Sequence, residues 1–271
     1  EEGLVTQIVS DINYQSGALP LLQYALTELF ERRSGRVITW DAYHDIGGAV
    51  GALAHQAEEL YHELDATAQD IVHQLFLRLV TLGEGTEDTR RRVNQQELIS
   101  LFDDQDLIEE VIDVFVEHSL LALDNDEQSR QPTVEVAHEA IIREWERLKS
   151  WLNDSRTDIR QHRQLARLAT EWHEANEDQS FLLRGGRLEQ FNIWKEITAI
   201  RLTPEEGQYL QTSKKVYTQQ QEAEQARQTR EANLERHAQQ RMRYLVVALV
   251  IMLVGAVSVS IFAFDREQRA N

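Results

Sequence analysis

Apolar residues recur at helical spacing through most of the chain. Near its start, one predicted helix face carries the apolar residues Leu4, Val5, Ile8, Val9 and Ile12. Pro20 suits the first turn of a second helix, over 21–33, because a proline there loses no hydrogen bond. The same spacing predicts further helices over 52–64, 67–80, 95–102, 107–118, 138–151, 157–176 and 184–193.

Two short segments interrupt this helical pattern. Residues 119–124 form an apolar run, and residues 133–137 alternate between polar and apolar positions, as a half-buried strand does. The polar residues 125–131 predict a turn between them, and 90–93 predicts another short strand. Helices followed by two strands and a connecting turn are the element order of a winged helix.

The stretch from Tyr244 to Phe264 contains no charged side chain in 21 positions. A helix of this length rises about 30 Å, which matches the hydrocarbon core of a bilayer, so the pattern predicts a single transmembrane helix rather than a buried core helix. Lysine and arginine are more frequent before the stretch than after it, and such residues stay on the cytoplasmic side. We therefore expect a single-pass membrane protein with residues 1–243 in the cytoplasm.

These patterns define the predicted fold class and segments. The fold is mainly α, with a helical domain, a winged helix with a small β-wing, a helical linker and a C-terminal transmembrane helix. Thr203, Pro204 and Glu206 predict the start of the last long helix, because they match a capping box with proline at the first position. The predicted segments are a helical domain (1–50), a winged helix (51–152), a linker (153–217), a charged stalk (218–243), the transmembrane helix (244–264) and a tail (265–271).

Composition excludes several kinds of function. The formal net charge of −18 disfavours nucleic acid as a partner, because phosphates would be repelled. The sequence has no cysteine, which excludes disulfides, thiolate metal sites and a cysteine nucleophile. No glycine-rich loop in the sequence is followed by Lys-Ser or Lys-Thr, so the chain has no P-loop and we assign it no catalytic residue.

Histidine pairs give no metal site. His138-Glu139 matches the start of a zinc-protease helix, but Ile142 stands where the second histidine is needed. His55 and His62 lie seven positions apart on one helix face, where a surface pair is the favoured interpretation.

His138 itself follows a strand and opens a helix, where backbone N–H groups can bind an anion. From the residues alone, a structural role at the strand-to-helix junction is favoured over an anion-binding one.

Three segments, GALPLLQYALTELFERR, LFLRLVTLGEGTEDTRRRV and PTVEVAHEAIIREWERLKSWL, together resemble bacterial STAND-class NTPases of the WD-repeat-associated type. The later segments FLLRGGRLEQFNIW and LTPEEGQYLQTS resemble the linker after the NTPase module. The resemblance implies that a helical domain and a winged helix close over a nucleotide held by a P-loop core. It implies that Pro20 lies near adenine and that His138 reaches the β-phosphate of ADP and holds the inactive state.

The resemblance also implies the function and its partners. We expect the regulatory part of a signalling ATPase, which couples the ADP or ATP state of an upstream P-loop domain to a downstream sensor or effector. ADP or ATP with magnesium is expected only in the full-length protein, with the P-loop before Glu1 and a WD-repeat propeller after Asn271. Membrane attachment is expected as well, and self-association on activation is left open.

Two other classes of function remain as alternatives. One is a membrane-anchored winged-helix transcription regulator, although its candidate recognition helix over 106–113 is acidic and would face DNA phosphates unfavourably. The other is a helical scaffold that binds another protein.

Overall fold

A computed structural model of the chain describes residues 1–12, 18–127 and 129–270, without the side chains of 18, 20, 238, 254 and 256–270. The protein is mainly helical, with small antiparallel sheets, as the sequence predicts. It divides into two compact units, Glu1–Gln211 and Thr212–Asn271.

Four helices begin the first unit: α1 (Leu4–Ile12), α2 (Ala18–Glu31), α3 (Trp40–Asp45) and α4 (Gly48–Glu63). The α1 helix buries Leu4, Ile8 and Ile12. Val5 and Val9, which the sequence pattern placed on the same face, are instead exposed. Because a helix presents only one stripe to a core, the two valines fall outside it.

The α4 helix contributes to two hydrophobic clusters at once. Its first half supplies Ala49 and Ala52 to a small cluster with α1, α2 and α3. From Leu53 onward it supplies Leu53, Ala57 and Leu60 to the main core of the unit. The predicted domain boundary between residues 50 and 51 therefore falls inside a continuous helix.

The main core is built on helices and two small sheets. Its elements are α5 (Ala66–Arg78), β1 (Val80–Thr81), β2 (Thr89–Arg90), β3 (Val93–Asn94), α6 (Gln95–Ile99), α7 (Gln105–Glu117), β4 (Leu121–Asn125) and β5 (Pro132–Val136). Strands β1 and β2 pair antiparallel, and the larger sheet has the order β3-β5-β4. In β4 and β5, Leu121 lies opposite Val136 and Leu123 opposite Val134, which confirms the predicted hairpin. Residue 128 of its turn lies outside the described residues.

The helix predicted over 138–151 is wrong in one respect, because the structure divides it at Trp145. Helix α8 (Glu139–Glu144) ends there and α9 (Glu146–Asp154) begins. Trp145 has an extended ψ of 100°, and its indole is buried. The change of direction carries the indole into the core, where it packs edge-on against the ring of Phe76 at 5.1 Å.

The rest of the first unit consists of α10 (Arg156–Glu174), a 3₁₀ turn (Gln179–Phe181), α11 (Gly185–Ile197) and the start of α12 (Pro204–Ala270). The predicted capping box at the start of α12 is confirmed. The Thr203 amide donates to Oε2 of Glu206 at 2.8 Å, and the Glu206 amide donates to Oγ1 of Thr203 at 3.2 Å.

The second unit is formed by the remainder of α12. Among the residues that the structure describes, no helix combines the length and the apolar character needed to cross a membrane. The predicted span Tyr244–Phe264 lies partly outside that description, which omits the side chains of 254 and 256–264.

Candidate functional site

His138 stands between β5 and α8, as the sequence predicts. It occupies the N-cap position of α8 with φ −137° and ψ 129°, but its side chain caps no backbone N–H. In the described part of the chain its imidazole ring has no hydrogen-bond partner, although the ring is half-buried.

One positive charge near His138 is that of Arg90, which also pairs with Glu135 at 3.5 Å. Burial lowers the pKa of His138, and the positive charge of Arg90 lowers it further. The imidazole is therefore neutral at pH 7, with one N–H donor and one acceptor nitrogen. Helix α8 is only six residues long, so its dipole adds less than a long helix would. Arg90, which the sequence analysis did not single out, is the nearby charge that an incoming anion would meet.

Pro20 lies in the first turn of α2, as predicted from the sequence. Its side chain lies outside the described residues, and so does Gly17 of the same motif. The proposed pairing of Pro20 with His138 around one ligand therefore stays a prediction.

Helix α8 connects His138 to α4. It buries Ala140, Ile141 and Ile142, and it packs against α4. The following helix, α9, is tied to α4 through Glu58, whose carboxylate accepts hydrogen bonds from the Trp145 indole at 2.8 Å and the Arg147 Nε at 3.0 Å. Because α4 also belongs to the cluster with α1–α3, one helix joins the His138 region to the N-terminal helices.

A buried charge network lies in the same unit. Arg78 is 2% exposed and forms ion pairs with Glu97 at 3.0 Å and Glu206 at 3.3 Å. Nε2 of His162 lies 2.9 Å from Oε1 of Glu206. Sequence reasoning found only the capping role of Glu206, because its other partners are 44 and 128 positions away.

The environment sets the protonation of this network. Burial lowers the pKa of His162, and the charge of Arg78 lowers it further, so the imidazole is neutral at pH 7. Burial alone would raise the pKa of Glu206, but the hydrogen bond from His162, the charge of Arg78 and the Thr203 amide together hold it below its ordinary value. The network therefore contains an ionised carboxylate and a neutral histidine at neutral pH.

The histidines first considered for metal binding have carboxylate neighbours on their own helix. His55 lies 3.2 Å from Glu59, and His62 lies 3.0 Å from Glu58. Within the described ranges, no group of three histidine or acidic side chains is arranged to hold a metal ion.

The chain matches the model of a known protein family. The family model described as Novel STAND NTPase 1 matches residues 1–180, which include α1 to α10 and His138. No curated protein and no solved structure matches the chain.

Proposed function

Since the chain belongs to the Novel STAND NTPase 1 family, we propose that it is the nucleotide-sensing, regulatory part of a signalling ATPase. The observation that carries this proposal is the His138 imidazole, which is half-buried, has no hydrogen-bond partner within the described structure and lies near the positive charge of Arg90. Such a group can recognise a phosphate by donating an N–H hydrogen bond.

The residues around His138 fit a nucleoside diphosphate such as ADP. A bound diphosphate supplies negatively charged oxygens that accept hydrogen bonds. His138 would donate its ring N–H to the terminal phosphate, and Arg90 would add a positive charge beside it. Magnesium and the P-loop belong to an upstream domain in this proposal, because the sequence given contains no P-loop.

We further propose that the region from α5 to β5 is a winged helix. The order of α5, β3, α6, α7 and the β4–β5 hairpin, with the sheet order β3-β5-β4, supports this interpretation. In this arrangement the last strand delivers His138 directly to α8.

The path from His138 to the N-terminal helices supports a coupling role. Any displacement of α8 acts on α4, against which it packs, and α4 contributes to the cluster with α1, α2 and α3. A ligand that binds one arrangement of these helices more tightly than another shifts their equilibrium by that difference in affinity. Release of the phosphate from His138 would thus change the position of the N-terminal helices.

The remaining parts of the proposal rest on the sequence. They are an upstream P-loop domain, a downstream WD-repeat propeller, membrane attachment through Tyr244–Phe264 with residues 1–243 in the cytoplasm, and self-association on activation.

The transcription-regulator alternative is disfavoured by α7, whose exposed face carries Glu109, Glu110 and Asp113. A scaffold would need no nucleotide, so nucleotide measurements separate it from the proposal.

The test uses a protein in which this chain is joined to its P-loop domain. His138→Ala should speed ADP release about 10- to 150-fold, because a charge-assisted hydrogen bond contributes about 1.5–3 kcal/mol and each 1.4 kcal/mol is a factor of ten. His173→Ala is the matched control, since that histidine is exposed and lies 4.0 Å from Glu177. Equal rates of ADP release from wild type and His138→Ala would overturn the proposal and leave His138 with a structural role.

A further inference from the structure

A polar cleft with a volume of about 630 Å³ lies in the first unit, and His138 is not among the residues that line it. Its walls come from β3, α6, α10 and the first turn of α12. This volume is in the range of sites for small organic ligands. Two arginines of its wall, Arg91 and Arg163, are candidate ligands for an anion.

Arg91 enters the cleft because the backbone around it is extended. It is the middle of three consecutive arginines, and successive side chains of an extended segment point to opposite sides. Arg90 and Arg92 both pair with Glu135, at 3.5 and 3.4 Å. Arg91 turns the other way, and its guanidinium donates to the carbonyl oxygen of Arg78 at 3.2 Å.

Arg163 approaches the same carbonyl from α10. Its guanidinium donates to the carbonyl oxygens of Val80 and, at 3.5 Å, of Arg78. Among the ion pairs of the described residues, none includes Arg91 or Arg163. Because a guanidinium has five N–H donors, each of these two arginines keeps donors beyond those given to carbonyls.

The nearby carboxylates are committed to another cation. Glu97 and Glu206 both pair with Arg78, and Glu206 also bonds with His162. The cleft is lined by three arginines and three carboxylates, so its formal charges balance, but Arg91 and Arg163 form no ion pair among the described residues. At the rim, Arg167 pairs with Glu171 at 3.7 Å, and Glu205 is exposed to water, which screens its charge.

Burial makes the charged form of both arginines less favourable, and this lowers their pKa. Burial lowers the pKa of Arg163 to about 10, with a further contribution from the charge of Arg91. Burial also lowers the pKa of Arg91. An anion between the two guanidiniums would offset both the burial and the mutual repulsion.

We propose that this cleft binds the phosphate group of a small metabolite, with Arg91 and Arg163 as its two cationic ligands. A phosphate fits better than a single carboxylate, because it offers several oxygens and two guanidiniums approach from different elements. Gln131 supplies a neutral donor, since its amide oxygen accepts from Asn94 and its NH₂ group remains for a ligand. The site is separate from the nucleotide contact of His138 and does not depend on it.

The test is calorimetric titration of the whole chain with inorganic phosphate and, separately, with glycerol 3-phosphate, at constant ionic strength. We expect binding of at least one probe, and tighter binding of the ester would identify an organic phosphate rather than free phosphate as the ligand. Arg91→Gln and Arg163→Lys should each weaken binding at least tenfold. Arg167→Gln, at the exposed rim, and His138→Ala should bind as wild type does.

Arg163→Lys keeps the positive charge and a donor for the carbonyls but removes the planar fork, so it should disturb folding less than a neutral replacement. Its thermal unfolding without ligand, compared with wild type, separates a binding defect from a folding defect. The proposal is overturned if neither probe binds the wild-type chain more than chloride does. It is equally overturned if folded Arg163→Lys and Arg91→Gln bind the probes as tightly as wild type.

Discussion

The indole N–H of Trp145 donates to the Glu58 carboxylate at 2.8 Å, although the two residues are 87 positions apart. The same carboxylate accepts a hydrogen bond from Arg147 at 3.0 Å. Helix α9 is thereby tied to α4. The bond is made at the residue where the chain leaves the helical conformation and α8 gives way to α9.

Replacing Glu58 should lower stability and change its pH dependence. Glu58→Gln keeps an oxygen for Trp145 but removes the charge opposite Arg147, and we expect a loss of about 1.5 kcal/mol in the free energy of unfolding. This loss is at the low end of the range for hydrogen bonds to charged groups, because the Glu58 side chain is about one-third exposed to solvent. Chemical denaturation at pH 7 measures it. Glu59→Gln, an exposed neighbour, is the control and should change stability little.

The pH dependence of this pair follows from the pKa of Glu58. The hydrogen bond from Arg147 is the largest cause that holds this pKa at about 2, below its ordinary value of 4.5. The stabilisation is therefore complete above pH 4.5 and is lost as the pH falls towards 2. The difference in stability between wild type and Glu58→Gln should shrink over that range. A difference that stays constant from pH 7 to pH 3 would contradict the assignment.

Removing Glu206 from the buried network with Arg78 and His162 should lower the free energy of unfolding more than Glu58→Gln does. Glu206→Gln leaves Arg78 with Glu97 alone, and we expect a loss of about 3 kcal/mol, as for other broken buried ion pairs. Urea denaturation gives the value, with the exposed neighbour Glu205→Gln as control. The double variant Arg78→Met/Glu206→Gln should lose less than the sum of the two single losses. Additive losses would show that the pair is not coupled.

The β4–β5 hairpin allows a matched pair of substitutions. Val136 is fully buried, whereas Leu123 is 44% exposed. Val136→Asp would bury a carboxylate without a partner and should unfold the domain, at a cost of several kcal/mol. Leu123→Asp introduces the same charge at the exposed site and should leave the far-ultraviolet circular dichroism spectrum unchanged. Equal effects of the two substitutions would contradict the observed register of the strands.

Local patterns predicted the parts of the fold that depend on neighbouring residues. The capping box of Thr203 and Glu206 needs only four consecutive positions, and the alternation from Thr133 to Val136 needs a single strand. The position of His138 between a strand and a helix followed from the same local pattern.

Features set by distant residues could not be read from these patterns. No proline or glycine marks the break at Trp145, whose indole packs against Phe76 and bonds to Glu58 on two other helices. Alternation separates Arg91 from Arg90 and Arg92, but the sequence does not show that Arg91 meets the Arg78 carbonyl while its neighbours meet Glu135. The buried network likewise joins Arg78 to Glu206 across 128 positions.

Membrane attachment is tested by one charge near the centre of the apolar stretch. An arginine at the centre of a bilayer costs about 2.5–3.5 kcal/mol on insertion scales. Leu253→Arg should therefore shift the whole chain from the membrane fraction towards the aqueous fraction after cell lysis and ultracentrifugation. Leu234→Arg, in the charged stalk, is the control and should not change the distribution. A wild-type chain found entirely in the aqueous fraction as a monomer would refute membrane attachment.

The most direct test of nucleotide sensing is the pKa of His138, measured by NMR with and without ADP in a protein that joins this chain to its P-loop domain. Without nucleotide, burial and Arg90 should keep this pKa below the ordinary value of 6.5. A phosphate bonded to the ring stabilises the protonated form, so the account predicts that saturating ADP raises the pKa by about one unit or more. A His138 pKa that is unchanged when ADP saturates the protein would contradict the account.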